Sequence, residues 1–331
     1  VPFDERISGM FRNRYVKFLL LIVSVAAVAV VLADPASAGS AASLRPPPGK
    51  AAAPPTDLKH YPKLPAPHVN PSKWGAPTRQ TEVIATTAGR DGSGHATIYT
   101  PVSGESATVL YGILKARGVR GLQNPAARPS AGRVSVNTKN ALTSCRYGTA
   151  QTFRCASDTN TTHQIRWADG CCNHPQVWMV DHTGSQWPVA ASTYEWNIAH
   201  GVDSLYVWAT CPGYSGQYCV NITDRNAGCS GWQGLTSVSW NGSSYYMTGA
   251  SVQLNDYNGT CTVNGITYNY NKNANGYRQD ACHEMGHALG MGHNSSTNSC
   301  IYGTIINSAG ALVPDSNDFT LIAQLYNDGN E

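Results

Sequence analysis

Charge is scarce in this sequence. Charged residues make up 13% of the 331 positions, against roughly 25% in an average soluble protein. The net charge is only +3, and the basic residues are scattered. A nucleic-acid surface needs a concentrated basic patch, so no such partner is expected. A chain this poor in charge is held by packing, turns and cross-links. No two cysteines stand as Cys-x-x-Cys, which argues against a zinc ribbon or a thioredoxin-like motif. No internal repeat is found.

Apolar residues, by contrast, reach 41%, enough for a substantial core. There are ten cysteines: Cys145, Cys155, Cys171, Cys172, Cys211, Cys219, Cys229, Cys261, Cys282 and Cys300. An even count in an exported chain reads as a disulfide framework. Export is expected from the N-terminus. Arg12, Arg14 and Lys17 form a basic region, Phe18 to Ala33 is free of charge, and Ala36-Ser37-Ala38 offers a small-x-small cleavage site. Residues 1–38 therefore read as a signal peptide cut after Ala38. Met10 fits a natural start, which would leave residues 1–9 untranslated. The alternative is an uncleaved anchor, for which the apolar run is short of the ~20 residues a spanning helix needs. No cysteine follows the cleavage site directly, so a lipid anchor is not expected.

Residues 39–80 are rich in Ala, Pro and Ser and read as a linker unable to bury a core. Residues 81–163 carry weak signals, a strand at Ala96–Tyr99 and a helix at Ala107–Lys115 capped by Ser106. They are read as a pro-segment or an accessory region. From residue 164 to 331 the pattern sharpens. Strands are expected at Gln176–Asp181, Ser204–Thr210, Tyr218–Ile222 and Ser251–Asn255. Helices are expected from Pro188 to about Ala199, over Arg278–Met291 and over Phe319–Tyr326.

The informative stretch is Cys282-His283-Glu284-Met285-Gly286-His287-Ala288-Leu289-Gly290-Met291-Gly292-His293. On a helix, residues four apart share a face, so His283 and His287 can hold one metal ion. Glu284 stands beside the first ligand, where a general base is needed. Gly290 can end the helix in a left-handed turn, after which the chain doubles back to deliver His293. Three neutral imidazoles leave one position of a zinc ion open, as catalytic zinc requires. His60, His68, His95, His163, His174, His182 and His200 lack ligand spacing and read as surface or structural.

His283-Glu284-x-x-His287-x-x-Gly290-x-x-His293 resembles the zinc signature of the metzincin metalloproteases, and among them the matrixins. Three further features carry the resemblance. Ile301 falls eight residues after His293, where the short matrixin loop places its Met-turn. Asp318-Phe319-x-x-Ile322-x-x-Leu325-Tyr326 is similar to the last matrixin helix. Trp167, the strand at Val177 and Trp196-Asn197 follow the order of such a domain's start. The resemblance covers residues 164–331.

It implies an α/β (α+β) fold: a twisted, mostly parallel five-stranded mixed sheet, three helices and a zinc cleft between subdomains. It implies a zinc-dependent endopeptidase that hydrolyses protein or peptide substrates with a zinc-activated water and Glu284 as general base. One catalytic Zn2+ would be held by His283, His287 and His293. Structural Ca2+ belongs to the family pattern, but no residues here place it. The Met-turn methionine is replaced by Ile301, an apolar floor that is not a ligand. The cysteine-switch motif is absent, which puts latency by a thiol on zinc in doubt. Tyr302 is read as packing beneath the helix in preference to ligating.

In such a fold the turn passes beneath the metal, which implies a Cys282–Cys300 disulfide; Cys300 pairing with Cys229 or Cys261 is the alternative. Cys211–Cys219 is expected as a short-loop pair. The protein is expected to be secreted, monomeric and without stable membrane association. A secreted zinc-binding module without activity, and a zinc hydrolase of cell-wall amide bonds, are the other functional readings.

Overall fold

The structure, a computed structural model, describes residues 75–78, 82–125, 144–152, 165–170, 174–263 and 265–326. Residues 1–38, expected as a signal peptide, most of residues 39–80, expected as a linker, and Cys155, Cys171 and Cys172 lie outside the described residues. Among the described residues no helix is long and apolar enough to cross a membrane.

In chain order the elements are β1 (Gly75–Thr78), β2 (Val83–Ala88), β3 (Gly94–Pro101), α1 (Ala107–Ala116), β4 (Ser144–Tyr147), β5 (Ala150–Gln151), β6 (Gln176–Asp181) and α2 (Val189–Asn197). There follow β7 (Asp203–Trp208), β8 (Gln217–Arg225), β9 (Trp232–Trp240), β10 (Met247–Asn255), β11 (Thr260–Val263), β12 (Ile266–Asn269), α3 (Ala274–Ala288) and α4 (Ser316–Tyr326). The main sheet has the order β2-β3-β9-β10-β8-β6-β7. Its β7-β6-β8-β10 part is parallel, and β9 runs antiparallel to β10.

The fold is thus the expected mixed sheet of an α+β protein, with the five main-sheet strands β6–β10 and the three α-helices α2–α4 expected over residues 164–331. Among the described residues, β2 and β3 continue this sheet to seven strands. Among the described residues α1 is a fourth α-helix, packed beside the added strands. The sheet therefore continues across position 164 in the sequence. β1, β4 and β5 make a separate small sheet, and β11 pairs with β12.

The local reasons are legible. β6, Gln-Val-Trp-Met-Val-Asp, lies between β7 and β8 with five of its six residues buried; a central parallel strand is covered on both faces and so reads as a nearly continuous apolar run. Ser106 caps α1, its hydroxyl accepting from the backbone of Val109. Asn273 caps α3 in the same way through Gly276, and α3 begins four residues earlier than expected.

The core fixes α3 against the sheet. Ala281, Met285, Ala288 and Leu289 are fully buried in a cluster with Met179, Val220 and Val252. The last carbonyls of a helix have no partner within it. Here the Trp167 indole donates to the Ala288 carbonyl at 2.9 Å and the Tyr326 hydroxyl to that of Leu289 at 2.7 Å. Trp196 of α2 donates to the Cys282 carbonyl at 2.9 Å. Gly286 allows this approach: a Cβ there would stand 2.6 Å from the Trp196 ring and 2.7 Å from Ile301 Cδ1.

Candidate active site

Helix α3 places His283 and His287 one turn apart, and their Nε2 atoms come within 3.1 Å. The helix then ends, and Gly290 turns left-handed at φ +94°. A Cβ at Gly290 would also meet the Ile165 carbonyl and Leu325, each at 2.9 Å. The chain returns to bring His293 to the other two. Their candidate ligand atoms all lie within 4.8 Å of one another, and all three residues are buried. Among the described residues no other group of three His, Cys, Asp or Glu side chains converges in this way.

Whether this group suits a zinc ion can be judged from its hydrogen bonds. The Nδ1 of His283 stands 3.1 Å from the Cys300 carbonyl, and that of His287 stands 2.8 Å from the Met291 carbonyl. A carbonyl oxygen only accepts, so both Nδ1 atoms carry the proton. Both Nε2 atoms then present lone pairs to each other, an arrangement that calls for a cation between them. Their separation is close to the roughly 3.3 Å expected of two imidazoles on tetrahedral zinc with Zn–N of ~2.0–2.1 Å. Burial holds all three imidazoles well below their ordinary pKa, that of His287 at about 4. Neutral imidazole is the ligating form. The residues fit the metal.

Glu284 is fully buried. Its Oε1 accepts from the Thr100 hydroxyl of β3 at 2.5 Å, and its Oε2 accepts from the Thr236 hydroxyl of β9 at 2.6 Å. Burial pushes the carboxyl well above its usual range, the charge of Asp280 adds to this, and the two threonine donors oppose it. Gly234 makes room for these groups, since a Cβ there would stand 2.5 Å from Glu284 Oε1 and 2.6 Å from Asp280 Oδ1. Asp280, one turn before Glu284, is also fully buried. Burial pushes its pKa up to about 6, against the pull of Lys272, whose Nζ is 3.6 Å away.

Ile301 is fully buried, its Cδ1 2.7 Å from where a Cβ on Gly286 of α3 would stand. Its loop is anchored on both sides. Cys300 is bonded to Cys282, so the residue that precedes His283 is tied to the residue whose carbonyl orients it. Asp318 at the start of α4 accepts from Ser299 Oγ at 2.5 Å and from Asn294 Nδ2 at 2.8 Å. Tyr302 bridges to Asn294. Cys211 is bonded to Cys219 across the loop between β7 and β8, and Cys229 to Cys261.

The structure therefore brings together His283, His287, His293, Glu284, Gly290, Ile301 and the Cys282–Cys300 pair. It adds Glu82, Thr100, Gly234, Thr236, Asp280 and Lys272, which sequence reading did not single out. Asp280 stands four residues before Glu284 and was open to the same helical spacing argument, whereas Thr100 is 184 residues from Glu284 and carries no local signal. The pairing of Cys229 with Cys261 was likewise out of reach, because a cysteine count does not fix connectivity.

A comparison with curated proteins finds no match. Residues 130–327 match the family model described as Matrixin. That span is more than half of the chain and contains all three histidines and Glu284, so the chain belongs to the matrixin family of zinc metalloproteases.

Proposed function

We propose that this protein is a secreted endopeptidase in which His283, His287 and His293 hold the metal and Glu284 is the general base. The observation that carries the reading is the convergence of three buried histidines, two on the helix that carries the buried Glu284 and the third beyond its end. Zinc, when bound, polarises the scissile carbonyl and makes water a stronger nucleophile at neutral pH. Glu284 takes a proton from the attacking water as its oxygen bonds to the carbonyl carbon. It then delivers that proton to the departing amine nitrogen as the C–N bond breaks, giving a carboxylic acid and an amine. Thr236 orients the carboxylate through Oε2. The Cys300 and Met291 carbonyls fix the rings of His283 and His287, as outer-shell acceptors do for ligating histidines. The disulfide framework suits an extracellular setting, and the family indicates protein or peptide substrates.

The test is Glu284→Gln. The variant should retain zinc and lose peptidase activity by at least about 10²-fold, the lower range for removal of a general base. Metal content is measured on both proteins. Activity near that of the parent, at equal zinc, would falsify the assignment.

A further inference from the structure

Helix α3 buries a second carboxylate beside the proposed base. Asp280 stands four residues before Glu284, so the two share one face of the helix. Both are fully buried. Both also reach the space left bare at Gly234, where a Cβ would meet Asp280 Oδ1 as well as Glu284 Oε1. Like charges at this spacing destabilise a helix. Neither Asp280 oxygen receives a hydrogen bond. Its charge is answered by Lys272, whose Nζ stands 3.6 Å from Oδ2.

Lys272 is fixed from several sides. It lies just before α3, and its side chain is 1% exposed. Its Nζ donates to the Asn255 carbonyl at the end of β10 at 2.7 Å. The same atom stands 5.1 Å from the centre of the Trp187 ring and 5.6 Å from that of Tyr277, and such ring faces attract a cation. The Trp187 indole is pinned in turn, donating to Asp256 Oδ1 at 2.7 Å.

Stability alone does not account for this pair. Taking two charges out of water costs about as much as their attraction returns, so uncharged residues of similar size often serve a fold as well. The place of the pair on α3 explains more. Helical side chains lean toward the N-terminus, so the Glu284 carboxylate, left alone, would lie back over the turn that holds Asp280. The Asp280 charge denies it that place. What stays open to it is the Thr236 hydroxyl, which donates to Oε2 at 2.6 Å. Lys272 opposes the effect of burial on Asp280, whose pKa stops at about 6, so the repelling charge persists at neutral pH.

We propose that Lys272 and Asp280 are positioning residues for the reaction, a buried ion pair that holds the Glu284 carboxylate on Thr236 by denying it the preceding turn of α3. The proposal rests on the peptidase reading of the site.

Two double variants of the full chain test it beside the parent, all loaded with zinc. Lys272→Met with Asp280→Asn removes both charges at nearly constant volume, and the new amide can donate to Glu284 and draw it back. Glu195→Gln with Arg278→Gln is the control, since it removes the ion pair that ties α2 to the same helix. Each protein is measured for kcat and KM on a peptide, for zinc content and, free of metal, for its thermal midpoint. Loss of the Lys272–Asp280 pair should lower kcat at least about tenfold, with KM and zinc content within about twofold of the parent and an unchanged midpoint. The control should keep the parent kcat. A crystal structure of the first variant should show Glu284 off Thr236 and turned toward position 280, a readout that needs no activity. If that variant does not fold, Asp280→Asn alone carries the same expectations, because Lys272 keeps the Asn255 carbonyl and the Trp187 ring.

A parent-like kcat without the pair overturns the proposal, as does Glu284 still resting on Thr236. A kcat loss that comes with a lower midpoint, or an equal loss in the control, makes the pair a structural brace and also overturns it, as does failure of both Asp280 variants to fold. A parent that cleaves nothing removes the peptidase reading and this proposal with it, whereas an active parent with an equally active variant removes the proposal alone.

Discussion

Removal of the Cys282–Cys300 bond is the sharpest perturbation of the metal centre that leaves every ligand in place. The bond closes 18 residues, a stretch holding His283, His287, His293, Gly290 and the turn to Ile301. In the chain-entropy model a loop of this length restricts the unfolded state by about 3 kcal/mol. Both cysteines are fully buried, so alanine is the better replacement; serine would add an unsatisfied hydroxyl. For a domain of this size each kcal/mol shifts the midpoint by about 2–4 °C. Cys282→Ala with Cys300→Ala should therefore melt about 6–12 °C below the parent when both are metal-free. The metal-free comparison matters, because zinc binding to the folded form adds stability of its own. A second effect follows from geometry. The Cys300 carbonyl orients His283, so loosening the loop should also weaken zinc affinity, by about 10–100-fold as for loss of an outer-shell partner. Calorimetry of the metal-free proteins and a competitive zinc titration measure the two. A double variant with an unchanged midpoint and unchanged zinc affinity would refute the reasoning.

Two further outcomes are expected. Gly234→Ala should keep its zinc and lose activity by on the order of 10²-fold, because the new Cβ would stand 2.5 Å from Glu284 Oε1 and 2.6 Å from Asp280 Oδ1 and so must displace them; activity at the parent level with equal zinc counts against it. Asp318 governs a pH dependence. Burial, the larger cause, raises its carboxyl from 3.8 to about 7 against its hydrogen bonds from Ser299 and Asn294. A folded-state pKa above the unfolded one means that its protonated form favours the fold, so stability from this group is present below about pH 4 and is lost as pH rises to about 7. Urea midpoints of metal-free protein at pH 5 and pH 8 should therefore differ less in Asp318→Asn than in the parent. An equal difference in both proteins removes the argument.

What the sequence made legible follows from the range of each signal. The chemistry of α3 is written in consecutive residues, so the spacing of His283, His287 and His293 and the turn at Gly290 could be read directly. β6 and α1 were equally local: one is an unbroken apolar run, the other a serine cap followed by a helical pattern. β9 escaped notice although it is central to the site. Its buried face alternates Gly234, Thr236 and Val238, and glycine and threonine supply no hydrophobic periodicity. Yet those residues are small and polar for a reason visible only in three dimensions. Gly234 leaves space for two carboxylates, and Thr236 donates to one of them. The demand of the site on β9 is what erased its strand signal, as expected where function overrides local consistency. The same holds for β3, whose Thr100 is unremarkable in sequence and sits on the proposed catalytic base in the fold. The ligand helix is thus readable in one dimension, while the surfaces packed against it are assembled from strands whose side chains are fitted to it rather than to a pattern.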